Sequence, residues 1–266
     1  MKIFISADIE GVTGCTNWDE TNKSHKDHPY FARQMSLEVD AACKGANKAG
    51  AKEIMVRDAH DSARNIDHNL LPRNTKLVRG WGGTSLSMMQ EIDHTYDAVI
   101  FIGYHAGGGH NTNPLAHTMN SSSIDYISIN GRVASEFIIN SYSAAYFNVP
   151  VVFISGDNGL ENDLKFLDEN IGFFPVKEGV GRSTISIHPE LAIEEIENKV
   201  EEALNKDLSI YKIELPEEFV VEIRYTQHNF AGSYKDYPNA EQVDEKTVRF
   251  KTNDYMEVLR FFKFGY

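Results

Sequence analysis

A chain of 266 residues with 41% hydrophobic and 24% charged residues has the size and composition of a folded protein of one or two domains, which excludes a disordered chain. Its formal net charge of -13 argues against a nucleic acid partner, because binding to phosphates needs a basic surface. The N-terminus lacks the pattern of a signal peptide, no apolar stretch is long enough for a membrane span, and Cys15 and Cys43 form no paired motif, so we expect a cytoplasmic protein without a membrane partner.

The first 160 residues alternate short apolar runs with amphipathic segments, which is the rhythm of βαβ units. We therefore predict an α/β fold with a mostly parallel sheet flanked by helices. The predicted strands are Lys2 to Ala7, Glu53 to Val56, Lys76 to Val78, Asp97 to Ile102 and Val149 to Ile154. The predicted helices are Tyr30 to Lys48, Ser85 to Ile92 and Ser135 to Phe147.

The pattern changes in two places. Asn130-Gly131 lies within the alternating segment from Ile127 to Val133 and predicts a hairpin, because both residues accept positive φ. After about residue 170 the predicted elements are a helix from Pro189 to Asn205, strands from Phe219 to Tyr225 and from Lys246 to Thr252, and a helix from Asp254 to Phe264. We expect a metal-binding α/β domain over residues 1–170 and a smaller α+β lobe over residues 171–266, with no linker that marks the boundary.

Two carboxylates, Asp8 and Glu10, follow the first predicted strand. Side chains two residues apart in an extended chain project to the same side, and two carboxylates held together repel each other unless a cation lies between them. The carboxyl ends of strands in an open α/β sheet are also where ligands bind. Taken alone, the pair fits a cation site and two solvated loop acids equally well.

His60 and His105 each follow another predicted strand. One histidine after a strand is most simply a loop residue, but three strand ends that each supply a metal-competent side chain favour a shared site. Imidazoles and carboxylates without a thiolate favour Zn²⁺, with Mn²⁺ or Co²⁺ as alternatives. The sequence therefore predicts a metal centre that contains Asp8, Glu10, His60 and His105.

His117 and Glu136 are not singled out by the residues alone. His117 follows a glycine-rich loop, where it fits a general acid or base and a structural histidine equally well. Glu136 begins a predicted helix, where an acid stabilises the helix dipole. Gly107 to Gly109 match neither the phosphate-loop nor the dinucleotide-binding pattern and indicate a tight turn beside His105.

Five segments in the first half of the chain contain all of these candidate residues. They are S-A-D-I-E-G at 6–11, D-A-H-D-S at 58–62, G-Y-H-A at 103–106, A-H-T-M at 116–119 and I-N-G-R-V-A-S-E at 129–136. Together with S-G-D-N at 155–158 and G-R-S at 181–183, they resemble the zinc-dependent D-aminopeptidase family of the kind associated with dipeptide transport. The loop between His105 and His117 departs in being rich in Gly and Asn and in containing His110, which leaves the substrate preference open.

The resemblance implies an aminopeptidase that hydrolyses the N-terminal residue, such as D-alanine, from short peptides or amides. It implies a pair of zinc ions per subunit held by Asp8, Glu10, His60, His105 and Glu136, with Asp8 as the bridging carboxylate. It also implies that His117 is the catalytic histidine and that the chain forms a homo-oligomer, with a decameric ring as the family's form.

Two other functions stay open from the residues alone. Clusters of Asp and His at strand ends also bind phosphoryl groups, so a metal-dependent phosphohydrolase is a second hypothesis. The motifs have no obvious basic phosphate clamp beside them, although Arg57 and Arg64 leave this hypothesis open. A non-catalytic protein that binds a metal or a peptide is a third. The presence of His117 beside five ligands argues against it, because a binding protein needs no proton shuttle.

Overall fold

The computed structural model describes residues 1–265, in which two β-sheets and their helices form the fold. The strands are β1 (Lys2–Ala7), β2 (Glu53–Asp58), β3 (Thr75–Val78), β4 (Ala98–Tyr104), β5 (Ile124–Ile129), β6 (Arg132–Val133), β7 (Val151–Asp157), β8 (Gly172–Val180), β9 (Ser183–Ser186), β10 (Phe219–Tyr225), β11 (Ala240–Gln242) and β12 (Thr247–Thr252). The α-helices are α1 (Trp18–Thr21), α2 (His28–Lys48), α3 (Glu136–Tyr146), α4 (Glu161–Leu167), α5 (Pro189–Leu204), α6 (His228–Tyr234) and α7 (Tyr255–Gly265).

The larger sheet has the strand order β3-β2-β1-β4-β7-β8-β9, and only β9 runs antiparallel to its neighbour. The prediction of a mostly parallel sheet is confirmed. Helices α2 and α5 pack together on one face, and α3 packs on the other face against β4 and β7. Because both faces are covered, β4 and β7 are buried along their entire length.

The order of the strands reverses between β1 and β4. From β1 the chain adds β2 and β3 on one side, and it then returns to add β4, β7 and β8 on the other side. Ala7 at the end of β1 pairs with Asp58 of β2 and with Ile102 of β4, so the carboxyl ends of these three strands lie side by side. Such a switch point leaves a crevice at the carboxyl ends of the strands, where open α/β sheets bind their ligands.

The smaller sheet is antiparallel and has the order β11-β12-β10-β5-β6. Its β5–β6 hairpin confirms the predicted turn, because Asn130 has φ of 52° and Gly131 has φ of 79°, as a type I′ turn requires. The sheet packs against α6 and α7. The smaller sheet therefore has a core of its own.

Helix α3 lies between the two cores. Phe137 and Ala144 belong to the core of the larger sheet, whereas Ile138, Ile139 and Tyr142 belong to the core of the smaller sheet. A helix that is apolar on all sides is stable only when it is buried on all sides. The side chain of Ser135 caps the helix by accepting a hydrogen bond from the backbone N–H of Ile138 at 3.3 Å.

Each of the two sheets contains strands from both sides of residue 170. Strands β8 and β9 follow that residue and join the larger sheet, whereas β5 and β6 precede it and join the smaller sheet. The division of the chain into domains at residue 170 stays a prediction, and the strands on its two sides are interleaved.

The helix predicted from Ser85 to Ile92 is wrong. Only a single 3-10 turn forms there, at Ser87–Met89, because Ser87 and Glu91 have φ of 47° and 76°, which a right-handed helix excludes. Met88, Met89 and Ile92 are nevertheless buried. The apolar spacing therefore reflects an irregular segment that packs on the core.

No helix within residues 1–265 combines the length and the apolar character that crossing a membrane requires.

Strand β4 passes so close to the end of β1 that only glycine fits at position 103. Gly103 has φ of +70°, and a Cβ atom there would lie 2.3 Å from the carbonyl oxygen of Asp8. We expect Gly103→Ala to lower the free energy of unfolding by about 2–5 kcal/mol, through left-handed strain and overpacking. Equilibrium unfolding in urea measures this change.

The matched control is Gly232→Ala in α6, where an added Cβ meets nothing within 4 Å. This substitution should raise the free energy of unfolding by about 0.5–1 kcal/mol, because alanine is the better helix former. Equal effects of the two substitutions would contradict the steric argument.

Candidate metal centre

Three neighbouring strands of the larger sheet deliver the first candidate ligands to the crevice at the switch point. Asp8 and Glu10 follow β1, His60 follows β2, and His105 directly follows β4. All four side chains are buried. The prediction that these residues converge at one edge of the sheet agrees with their positions in the structure.

Asp8, Glu10 and His60 form the first group of possible ligands. Nδ1 of His60 lies 3.2 Å from Oδ1 of Asp8 and 2.9 Å from Oε2 of Glu10. One possible ligand atom from each residue lies within 4.8 Å of the other two. This spacing suits a single metal ion between the three side chains.

His105, His117 and Glu136 form the second group, whose possible ligand atoms also lie within 4.8 Å of each other. Nε2 of His105 lies 3.4 Å from Oε2 of Glu136, and Nε2 of His117 lies 3.8 Å from Oε1 of the same carboxylate. The two imidazole rings are stacked, with centroids 4.4 Å apart. The long loop after β4 and the first residue of α3 thus bring His117 and Glu136 to the same crevice.

Asp8 lies between the two groups. Its Oδ1 faces His60, and its Oδ2 lies 3.5 Å from Nε2 of His105. A carboxylate with one oxygen toward each group has the geometry of a bridging ligand. The structure therefore brings all six predicted site residues together.

A backbone carbonyl fixes the orientation of each imidazole. Nε2 of His60 donates to the carbonyl oxygen of Thr21 at 2.9 Å, Nδ1 of His105 donates to that of Ala106 at 2.9 Å, and Nδ1 of His117 donates to that of Leu115 at 2.9 Å. A carbonyl oxygen only accepts, so each of these nitrogens carries a proton. In the neutral ring the other nitrogen then turns a lone pair toward the carboxylates, as in metal-binding histidines.

Two buried atoms at the centre of the crevice have no hydrogen-bond partner while both imidazoles are neutral. They are Oε2 of Glu10 and Nε2 of His105. A buried polar atom without a partner costs free energy, and so do lone pairs that face each other. A divalent cation would satisfy both atoms, and the oxygen and imidazole donors fit such an ion without any thiolate.

The electrostatics of the crevice without a metal ion also require positive charge. Burial opposes ionisation of Asp8, but the imidazoles of His105 and His60 outweigh it and hold the pKa of Asp8 well below its usual value. Burial would lower the pKa of His60 and that of His105, but the neighbouring carboxylates outweigh it and raise both well above the usual value. Protons on the imidazoles supply the positive charge when no metal ion is bound.

A cavity of about 570 Å³ opens onto the two groups. Its walls are apolar where Trp18, Trp81, Met88 and Met119 line it, and the edge of Trp18 packs against the ring of His117 at 5.2 Å. The sequence offered no signal for these four residues, because their role depends on packing between distant segments. Both tryptophans of the chain therefore lie at the candidate site.

The cavity lacks a basic phosphate clamp. Among residues 1–265, no lysine or arginine lines it. The guanidinium of Arg57 is buried, donates to the carbonyl oxygen of Gly80 at 2.5 Å and stacks on the ring of Trp81 at 4.2 Å. Arg64 is exposed. This arrangement gives no support to the phosphohydrolase hypothesis.

Binding of a divalent metal ion should release protons, because the ion takes the place of the protons on His60 and His105. Since both pKa values are raised, metal affinity should increase as the pH rises through that raised range and level off above it. Calorimetric titration of metal-depleted protein with Zn²⁺, in buffers of different ionisation enthalpy, measures the protons released. A binding heat that is independent of the buffer would contradict this expectation.

Comparison with known proteins finds similarity over nearly the whole chain. The D-aminopeptidase of Bacillus subtilis (strain 168) is 25% identical over 259 residues, which cover 97% of this chain and 93% of the relative. The structure of "Zn-dependent D-aminopeptidase DppA from Bacillus subtilis, a self-compartmentalizing protease" has the same fold, with a TM-score of 0.91 at 24% identity over 98% of this chain and 95% of that chain. Because the family profile described as D-aminopeptidase matches residues 1–264, the chain belongs to the D-aminopeptidase family of peptidases.

Proposed function

We propose that this protein is a zinc-dependent aminopeptidase that removes the N-terminal residue, preferably a D-amino acid such as D-alanine, from short peptides or amides. Membership of the D-aminopeptidase family supports the reaction. The zinc dependence named for the structural relative supports the metal. The observation that carries the proposal is the position of Asp8, whose two oxygens face two separate groups of ligands.

The proposed centre holds a pair of zinc ions, as in other two-metal hydrolases. Asp8, Glu10 and His60 would hold one ion, and Asp8, His105 and Glu136 would hold the other. The distances within the first group, the distances from Nε2 of His105 to Asp8 and Glu136, and the unpartnered atoms of Glu10 and His105 support this assignment. Histidine in both groups favours Zn²⁺ over Mn²⁺, and Co²⁺ suits the same ligands.

The residues around the centre are arranged for hydrolysis. When bound, the zinc pair supplies Lewis-acid activation of a water molecule and of the scissile carbonyl. Nε2 of His117 faces Glu136 with its lone pair, since Nδ1 is occupied by the carbonyl of Leu115. We assign to this nitrogen the acceptance of a proton from the attacking water and its transfer to the leaving amine. The rings of His105 and Trp18 pack against His117 and limit its rotation.

The lining of the cavity suits a short peptide with a free amino terminus. Asp61 lines the cavity beside the candidate ligands, and no lysine or arginine in the described chain does so. An acidic lining attracts the positively charged amino group of a substrate. The apolar surfaces of Trp18, Trp81 and Met88 offer contacts for substrate side chains.

We further propose a cytoplasmic location. Cys15 and Cys43 are both buried and form no disulfide, which is typical of proteins in a reducing compartment. Burial raises the pKa of both thiols, which keeps them unreactive.

We also propose a homo-oligomer, with a decameric ring as the specific form. The description of the structural relative as a self-compartmentalizing protease supports this assembly. Analytical ultracentrifugation of the full chain should give a mass that is a multiple of 30.0 kDa, and about ten times that value for the ring. A monomer at micromolar concentration would contradict the proposal.

Substitution of His60 and His117 separates the metal ligand from the proton shuttle. We expect His60→Ala to lose zinc and activity, because it removes one ligand of the first group. We expect His117→Ala to keep its zinc and to lose about 10²–10⁴-fold in kcat, the contribution of a general acid or base. Atomic emission measures the zinc content, and hydrolysis of D-alanyl and L-alanyl amides and dipeptides measures the activity and the stereochemical preference.

The control is His68→Ala, which removes an exposed histidine outside the centre and should change neither quantity. Zinc-replete protein that hydrolyses none of these substrates would contradict the proposed function. A fully active His60→Ala variant with its full zinc content would also contradict it. Loss of zinc from His117→Ala would instead show that His117 is a ligand.

A further inference from the structure

One buried carboxylate outside the ligand set is connected to several ligand-bearing loops. Asp157 ends β7 in the S-G-D-N segment and is fully buried. Its Oδ2 accepts hydrogen bonds from the backbone N–H of Ala106 and from Nδ2 of Asn113, both at 2.8 Å. Its Oδ1 accepts from the backbone N–H of Gly159 at 2.8 Å. Both oxygens of the carboxylate therefore accept hydrogen bonds, and two of its three donors belong to the loop after β4.

The first connection leads to His105. Ala106 donates its N–H to Asp157, and the carbonyl oxygen of Ala106 accepts from Nδ1 of His105 at 2.9 Å. The residue that fixes the tautomer and ring orientation of His105 is thus itself held by Asp157.

The second connection leads to His117. Oδ1 of Asn113 accepts from the backbone N–H of Leu115 at 2.9 Å, and the carbonyl oxygen of Leu115 accepts from Nδ1 of His117 at 2.9 Å. The hydrogen bond from Asn113 to Asp157 therefore determines where the imidazole of His117 lies.

The third connection leads to Glu10. Nδ2 of Asn113 also lies 3.3 Å from the carbonyl oxygen of Glu10, and the ammonium group of Lys177 donates to the carbonyl oxygens of Glu10 and Cys15. Lys177 is buried on β8; burial lowers its pKa, and the negative charge of Asp157 is among the influences that oppose this. A buried ammonium is stable only near such opposite charge.

We propose that Asp157 is a positioning residue of the metal centre, which holds the loops that carry His105, His117 and Glu10 through its hydrogen bonds with Ala106 and Asn113. The inference rests on the proposed zinc function. Asp157 touches neither the cavity nor the candidate ligand atoms, so it acts through other residues. Hydrogen-bonded partners that orient metal ligands typically contribute 10–100-fold to metal affinity or activity.

The test is Asp157→Asn, which keeps the shape of the side chain but turns an N–H₂ group toward donors that need an acceptor. We expect zinc affinity, measured by competition with a chelator, to fall about 10–100-fold. We expect the visible absorption spectrum of the Co²⁺-substituted variant to change, because that spectrum reports ligand geometry. The matched control is Asp40→Asn, a buried carboxylate of α2 whose partner is Lys44 at 2.7 Å. It should change neither quantity.

A second variant keeps the test decisive if Asp157→Asn fails to fold. Asn113→Ala retains the bond from Ala106 to Asp157 and removes the connections to Leu115 and Glu10. We expect it to lower kcat and to change the Co²⁺ spectrum relative to that of the wild-type protein. Wild-type zinc affinity and Co²⁺ spectra in every folded variant would overturn the inference. Wild-type protein that binds no zinc would overturn the proposed function, and this inference with it.

Discussion

Negative charge concentrated in a buried crevice is the constraint on which the rest of the structure depends. Asp8, Glu10 and Glu136 are almost completely buried, and each lies within 4 Å of an imidazole. Unpaired carboxylates at such depth cost several kcal/mol each, so positive charge must lie between them. Backbone carbonyls take the outer nitrogens of the histidines, and the inner nitrogens are left for a proton or a metal ion.

The parallel sheet explains why residues far apart in the chain meet in this crevice. Strands β1, β2 and β4 are adjacent and parallel, so whatever follows each strand is delivered to the same edge. The reversal of strand order between β1 and β4 opens the space that the side chains fill. Gly103 then allows the backbone of β4 to approach Asp8 closely. The fold of the chain and the geometry of its candidate site thus both depend on this sheet.

The sequence predicted the ligands that follow strands and missed the residues that act through packing. Asp8, Glu10, His60 and His105 follow apolar runs, which are local signals. Glu136 and His117 carry no such signal and depended on family resemblance, because a capped helix and a loop histidine are common without a metal. The prediction of a helix from Ser85 to Ile92 was wrong because the spacing of apolar residues does not reveal the left-handed backbone conformation of Ser87 and Glu91. Trp18, Trp81, Asp157 and Lys177 acquire their roles only through contacts between distant segments.

The burial of α3 between the two cores couples the smaller sheet to the metal centre. Glu136 is the first residue of this helix, and the following turns pack on both sheets. Any displacement of the smaller lobe therefore moves a candidate ligand. If the proposed centre holds an ion through Glu136, binding of that ion and the packing of the smaller sheet on α3 are thermodynamically linked, so each stabilises the other by the same free energy.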